Sequence, residues 1–133
     1  MKSLLIILIF LSTYDNISGT WINKENNHEL TFNQKNRDAD IKWKFNSNYT
    51  GPKILIGKGV VDIIDGIGDI VAGFELFPIY IDGGTCKTTN IILSTKAALY
   101  ENCLYTTQCY VTFSANCNGT IRKIKTPCHG RWE

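Results

Sequence analysis

Histidine is nearly missing from this sequence, with only His28 and His129 among 133 residues. The two lie far apart and no cysteines form a CxxC pair, so the sequence offers no zinc-site spacing and no metal site is expected. A surplus of charge is missing too. The formal net charge is +2, a field too weak to select nucleic acid or an anionic membrane as obligate partner. Apolar runs of bilayer-spanning length are absent, since Leu4 to Leu11 is too short and nothing later replaces it. Also absent are a GxSxG elbow, an HExxH helix and a recognisable carboxylate pair. Cys128 and His129 are chain neighbours, a poor geometry for a nucleophile and its base. These absences argue against an enzyme, and no catalytic residue or cofactor is expected.

What is present begins with "MKSLLIILIFLS", a lysine before a short apolar run, which has the shape of a secretory signal. Small residues Ser18 and Gly19 place the expected cut after Gly19, with a site nearer Thr13 as the alternative. Residues 20–133 then form one domain, large enough to bury roughly two-thirds of its unfolded surface. All five cysteines, Cys86, Cys103, Cys109, Cys117 and Cys128, follow in the second half of the chain. In an oxidising compartment their default state is disulfide. Five is odd, so one thiol is left over, either buried or joined to a second chain. Cys86, in the "DGGTC" loop, is the expected intermolecular residue, giving a disulfide-linked homodimer. The alternative is a Cys86–Cys128 bridge with another thiol buried. Asn48-Tyr-Thr50 and Asn118-Gly-Thr120 are N-glycosylation sequons in turn-like sequence, and Asn16-Ile-Ser18 leaves with the signal.

The dominant period is two. "IKWKF" sets Ile41, Trp43 and Phe45 on one face and Lys42 and Lys44 on the other, the alternation of a half-buried strand. "KILIG", "AGFELFPIYI", "TNIILS", "QCYVTF" and "TIRKIK" continue the series between glycine, asparagine and proline punctuation. Such spacing predicts an all-β fold, a sandwich or barrel. In "TIRKIK", Arg122, Lys123 and Lys125 read as a solvated strand face, with anion binding as the sharper alternative. "GVVDIIDGIGDIVAGF" dissents, with Asp62, Asp65 and Asp69 at helical spacing. Its glycines, each about 1 kcal/mol worse than alanine in a helix, favour a loop with one helical turn between strands.

"WKFNSNYTG" (43–51) and "LYENCLYTT" (99–107) share an aromatic, a polar turn and a tyrosine at the same offset, followed by a glycine or threonine. "YENCLYTT" resembles the folded hairpin of the βγ-crystallin superfamily, with Tyr100 first, then Glu101, Tyr105 as inner aromatic and Thr107 in place of the glycine. "FNSNYTG" resembles it with Tyr49 and Gly51 in place, although Lys44 stands where Trp43 would be in register. The resemblance implies a small, disulfide-stapled β-sandwich of two Greek keys. Of the family's calcium motif Asp69 is kept, but Ala72-Gly73 and Arg122-Lys123 replace the paired serines, so no calcium dependence is expected. Within the superfamily the plan is similar to the secreted interleukin-inducing glycoproteins of schistosome eggs. That likeness implies an immunomodulator that engages host extracellular glycoproteins such as immunoglobulins. The ending "TPCHGRWE" does not match that group's basic nuclear signal.

Two other classes compete. "GTWINKENNHELTF" resembles the Gly-x-Trp opening of lipocalins and the Gly-x-Trp-x-Asn opening of avidins, implying a barrel around a small ligand with Trp21 in the core or as an end plug. A membrane-active killer toxin or antimicrobial is the third reading, because crystallin-like disulfide proteins also serve in that role.

Overall fold

The structure, a computed structural model, describes residues 14–47, 51–75 and 86–133. The expected signal core, Tyr49 and the Asn48 sequon lie outside the described residues. The described chain is all strand and turn: β1 (Gly19–Asn23), β2 (His28–Lys35), β3 (Asp38–Ser47), β4 (Gly51–Ile64), β5 (Ile67–Glu75), β6 (Lys87–Tyr100), β7 (Cys103–Cys117), β8 (Thr120–Pro127) and β9 (Gly130–Trp132).

Each strand from β1 to β8 pairs antiparallel with its sequence neighbour, and β9 returns to pair with the lower half of β7. Ile22 and Glu133 then exchange both backbone hydrogen bonds, at 2.9 and 3.0 Å, so the C-terminus meets β1. Among the described residues the sheet is therefore an up-and-down meander that nearly closes on itself. The expected all-β class holds, whereas the described strands do not form the expected sandwich of two Greek keys. A Greek key needs a strand that returns past its neighbours, and the described strands β1 to β8 contain no such return.

Short turns explain the difference. Asp65-Gly66, Glu101-Asn102 and Asn118-Gly119 all have positive φ at both positions, the two-residue loop that matches strand twist and closes a tight hairpin. "YENCLYTT" is such a hairpin, with Tyr100 paired to Cys103. Tyr100 and Tyr105 are exposed rather than folded over the turn, so the crystallin-like packing does not form. "VVDIIDGIGDIV", expected as a loop with a helical turn, is instead the β4–β5 hairpin, and Asp62 faces Asp69 across it.

The alternation read from the sequence fills the interior. Leu30, Phe32, Ile41, Trp43, Phe45, Leu55, Val61, Ile70, Leu93, Leu104 and Val111 are buried, while Lys42 and Lys44 face out. Ile17 is also fully buried, ahead of the expected domain start at Thr20. Its segment crosses one end of the sheet: Trp21 donates Nε1–H to the Ile17 carbonyl, Gln34 accepts from the Ile17 amide, and the Asp15 carboxylate accepts from the Gly66 amide.

Cysteine pairing departs from expectation. Cys86 is bonded to Cys117 and Cys109 to Cys128, leaving Cys103 as a buried free thiol. Cys86 is therefore not available to join a second chain, and the alternative Cys86–Cys128 bridge does not form either. The register explains both pairings. Lys87 lies opposite Asn116, which sets Cys86 beside Cys117, and the Cys128 amide donates to the Cys109 carbonyl at 2.9 Å.

Candidate functional site

Opposite the Ile17 end, the barrel interior holds an aromatic cluster drawn from five strands. Trp43 and Phe45 sit two apart on β3, so both face inward, and their rings stack at 3.9 Å. His28, at the start of β2, meets Trp43 edge-on at 5.1 Å and Phe45 at 6.2 Å. Phe113 of β7 stands 5.7 Å from Phe45, Phe74 of β5 lies 6.1 Å from Trp43, and Trp132 of β9 lies 6.3 Å from His28. These spacings are those of favourable edge-to-face and offset aromatic pairs.

Polar atoms are set into this apolar wall, and they divide into two groups. Trp132 donates Nε1–H to Thr106 Oγ1 at 2.9 Å, and Thr106 Oγ1 donates to the Cys128 carbonyl. Asn23 is fully buried, donates to the His129 carbonyl and accepts from the Asn26 amide. Lys53, 1 % exposed, donates Nζ–H to the Cys86 carbonyl at 2.9 Å, and burial lowers its pKa. The second group has no such satisfaction: His28 Nδ1, Trp43 Nε1 and Thr88 Oγ1 are buried without a hydrogen-bond partner. Each such atom costs about 1–3 kcal/mol if nothing satisfies it. Burial also lowers the His28 pKa to about 4, so this imidazole is neutral at ordinary pH.

Outside the cluster, β5 and β6 part. Their pairing runs from Ile67 opposite Ala98 to Gly73 opposite Ile92, and β6 then carries an extra residue at Asn90, whose φ is 53°. A bulge of this kind bends its strand away from its neighbour. The separation leaves an open cleft of about 680 Å³ lined by Phe74, Ile91, Ile92 and Ile56, with Lys58, Glu75 and Asp40 also on its walls. Its volume is that of a small-molecule site. Phe74 is the link, lining the cleft and packing against Trp43.

The expected site residues fall elsewhere. Asn118 is exposed in the β7–β8 turn. Arg122, Lys123 and Lys125 lie on exposed β8, and Lys125 stacks over the Tyr110 ring at 4.0 Å. Cys128 is consumed in a disulfide, while His129 contributes its carbonyl to Asn23 and Asn26. Among the described residues, no three His, Cys, Asp or Glu side chains gather as a metal site, and Asp69 stands on the outer sheet face. Sequence reasoning found Trp43 and Phe45 as inward residues but missed His28, Lys53 and Thr88. Their signal was a polar residue at an inward position of a strand. Comparison with protein families, with curated proteins and with solved structures found no match to this chain.

Proposed function

We propose that this chain is a secreted, glycosylated binding protein whose barrel takes a small, flat, largely apolar ligand at its aromatic end. The observation that carries this reading is the unsatisfied Trp43 indole N–H. The indoles of Trp21 and Trp132 both have acceptors, whereas that of Trp43 is buried without one behind Phe74 and the cleft. A ligand entering past Phe74 would bring a flat apolar body to the Trp43 and Phe45 rings and a carbonyl or similar acceptor to Nε1. His28 Nδ1 and Thr88 Oγ1 supply further polar contacts of either sense. Two disulfides fit an oxidising compartment. The buried Ile17 favours a mature chain that begins upstream of Asp15, nearer the Thr13 alternative than the cut after Gly19.

Engagement of host glycoproteins such as immunoglobulins rests on the Greek-key resemblance. A meander lends that resemblance no support, so the small-ligand reading is preferred.

Titration with anilinonaphthalene sulfonate and with flavone tests the proposal. Saturable quenching of tryptophan emission is expected, weakened by Phe74→Ala and by Trp43→Phe, which keeps the ring stack but removes the N–H. Absence of saturable quenching by both probes would reject the reading.

A further inference from the structure

The outward side chains of β4, β5 and β6 form a grid fixed by strand register. In rows down the sheet, Ile56 lies opposite Glu75; Lys58 opposite Gly73 and then Ile92; Val60 opposite Val71 and then Ser94; Asp62 opposite Asp69 and then Lys96; Ile64 opposite Ile67. The apolar members are open to solvent, with Ile67 74 %, Ile92 52 % and Val71 48 % exposed and Ile56, Val60 and Ile64 each above a third. Six exposed β-branched aliphatics on three adjoining strands make a patch larger than scattered surface hydrophobes need.

Two charge pairs beside this patch are arranged symmetrically about its middle row, on which Asp38 of β3 stands opposite Val60, whereas Glu75 and Lys96 would face Ile67 and Ile92 of the other copy. Lys58 stands above Val60 on β4 and Asp62 below it. Beside Lys58 is Asp40 of β3, and beside Asp62 is Arg37, at 3.3 Å. A two-fold axis across the strands along the Val60–Val71–Ser94 row lays the upper rows of one copy on the lower rows of another. Val60 and Val71 then meet their own counterparts, Ile56 meets Ile64, Lys58 meets Asp62 and Asp40 meets Arg37. Gly73, with nothing within 4 Å of the place a Cβ would take, leaves room for the opposing Asp69. Asp62 and Asp69 also oppose each other directly within one chain, an unfavourable cross-strand pair. Arg37 on Asp62 and Lys96 opposite Asp69 offset this in part within the chain, and a lysine from a second copy would add to that relief.

We propose that this face is the interface of a non-covalent, two-fold dimer of this chain. Self-complementarity of the Lys58/Asp62 and Asp40/Arg37 positions about the Val60–Val71 row is the mark of an isologous contact and selects a second copy over an unrelated partner. The dimer needs no intermolecular disulfide, and its upper rows share Ile56, Lys58 and Ile92 with the walls of the cleft, so association would narrow the cleft's outer mouth.

Sedimentation velocity on the secreted, glycosylated chain tests it. Twice the monomer mass is expected in solution, with a monomer band on a non-reducing denaturing gel. Val71→Lys is expected to give monomer. Lys58→Asp and Asp62→Lys should each weaken association by about tenfold or more, and the double reversal Lys58→Asp/Asp62→Lys should restore it. Circular dichroism checks each fold, and Val71→Asn replaces Val71→Lys should that variant not fold. A monomer at about 100 µM, a concentration at which even weak specific dimers form, would overturn the proposal. So would a dimer unaffected at Val71, or a double reversal no better than the single changes.

Discussion

His28 shows how one residue couples packing to solution behaviour. Its imidazole is enclosed by Trp43, Phe45 and Trp132 and is held neutral, with a pKa of about 4 against 6.5 for a free histidine. In the unfolded chain the same group takes up a proton near pH 6.5, so protons favour unfolding below that value. The sign is fixed by linkage: stability from this site is full above about pH 6.5 and falls as pH drops toward 4, by at most about 3 kcal/mol. Denaturant unfolding at pH 7 and pH 4.5 should show this decline, and His28→Phe should flatten it. An equal decline in that variant would assign the effect to other groups. Trp43, its neighbour, carries the ligand reading because its ring is satisfied by stacking while its N–H is not.

At the scale of elements, the β4–β5 hairpin controls both proposed surfaces. Asp65-Gly66 closes it, the outer dimer face stands on it, and β5 ends at the cleft. Gly68 is the tightest point, because a Cβ there would overlap the Asp62 carbonyl oxygen across the hairpin. Gly68→Ala is expected to lower unfolding free energy by about 3 kcal/mol. Gly73→Ala, whose Cβ would meet open space in one chain, should change it by no more than about 0.5 kcal/mol. Chemical denaturation of the pair measures the contrast, and equal midpoints would show that the hairpin backbone yields at Gly68.

At the scale of the whole molecule, the segments that flank the meander complete it. Glu133 meets Ile22 to draw the sheet toward closure, and Ile17 fills the end that the turns leave open. N-terminal sequencing of the natural protein should accordingly find a start upstream of Asp15. A chain begun at Thr20 should lose about 2–5 kcal/mol, the usual cost of deleting a buried aliphatic side chain. A natural start at Thr20 with unchanged stability would show that Ile17 is dispensable.

Alternation alone determined that Ile41, Trp43 and Phe45 point inward and that the fold is all-β, because a strand sends successive side chains to opposite faces whatever its partners are. The dipeptides Asp65-Gly66 and Asn118-Gly119 also announce hairpins locally, although the aspartates around the first at helical spacing obscured its signal. Strand order was not local information. Tyr100 and Tyr105 have the same spacing in a folded crystallin hairpin and in a tight two-residue one, and only pairing with the next strand distinguishes them. Cysteine pairing was equally hidden, since Cys86 and Cys117 lie 31 residues apart in sequence and meet through the register of β6 on β7. The candidate site followed the same rule: His28, Trp43, Phe74 and Thr88 come from four strands, and nothing short of closing the sheet brings such residues to one end of its interior.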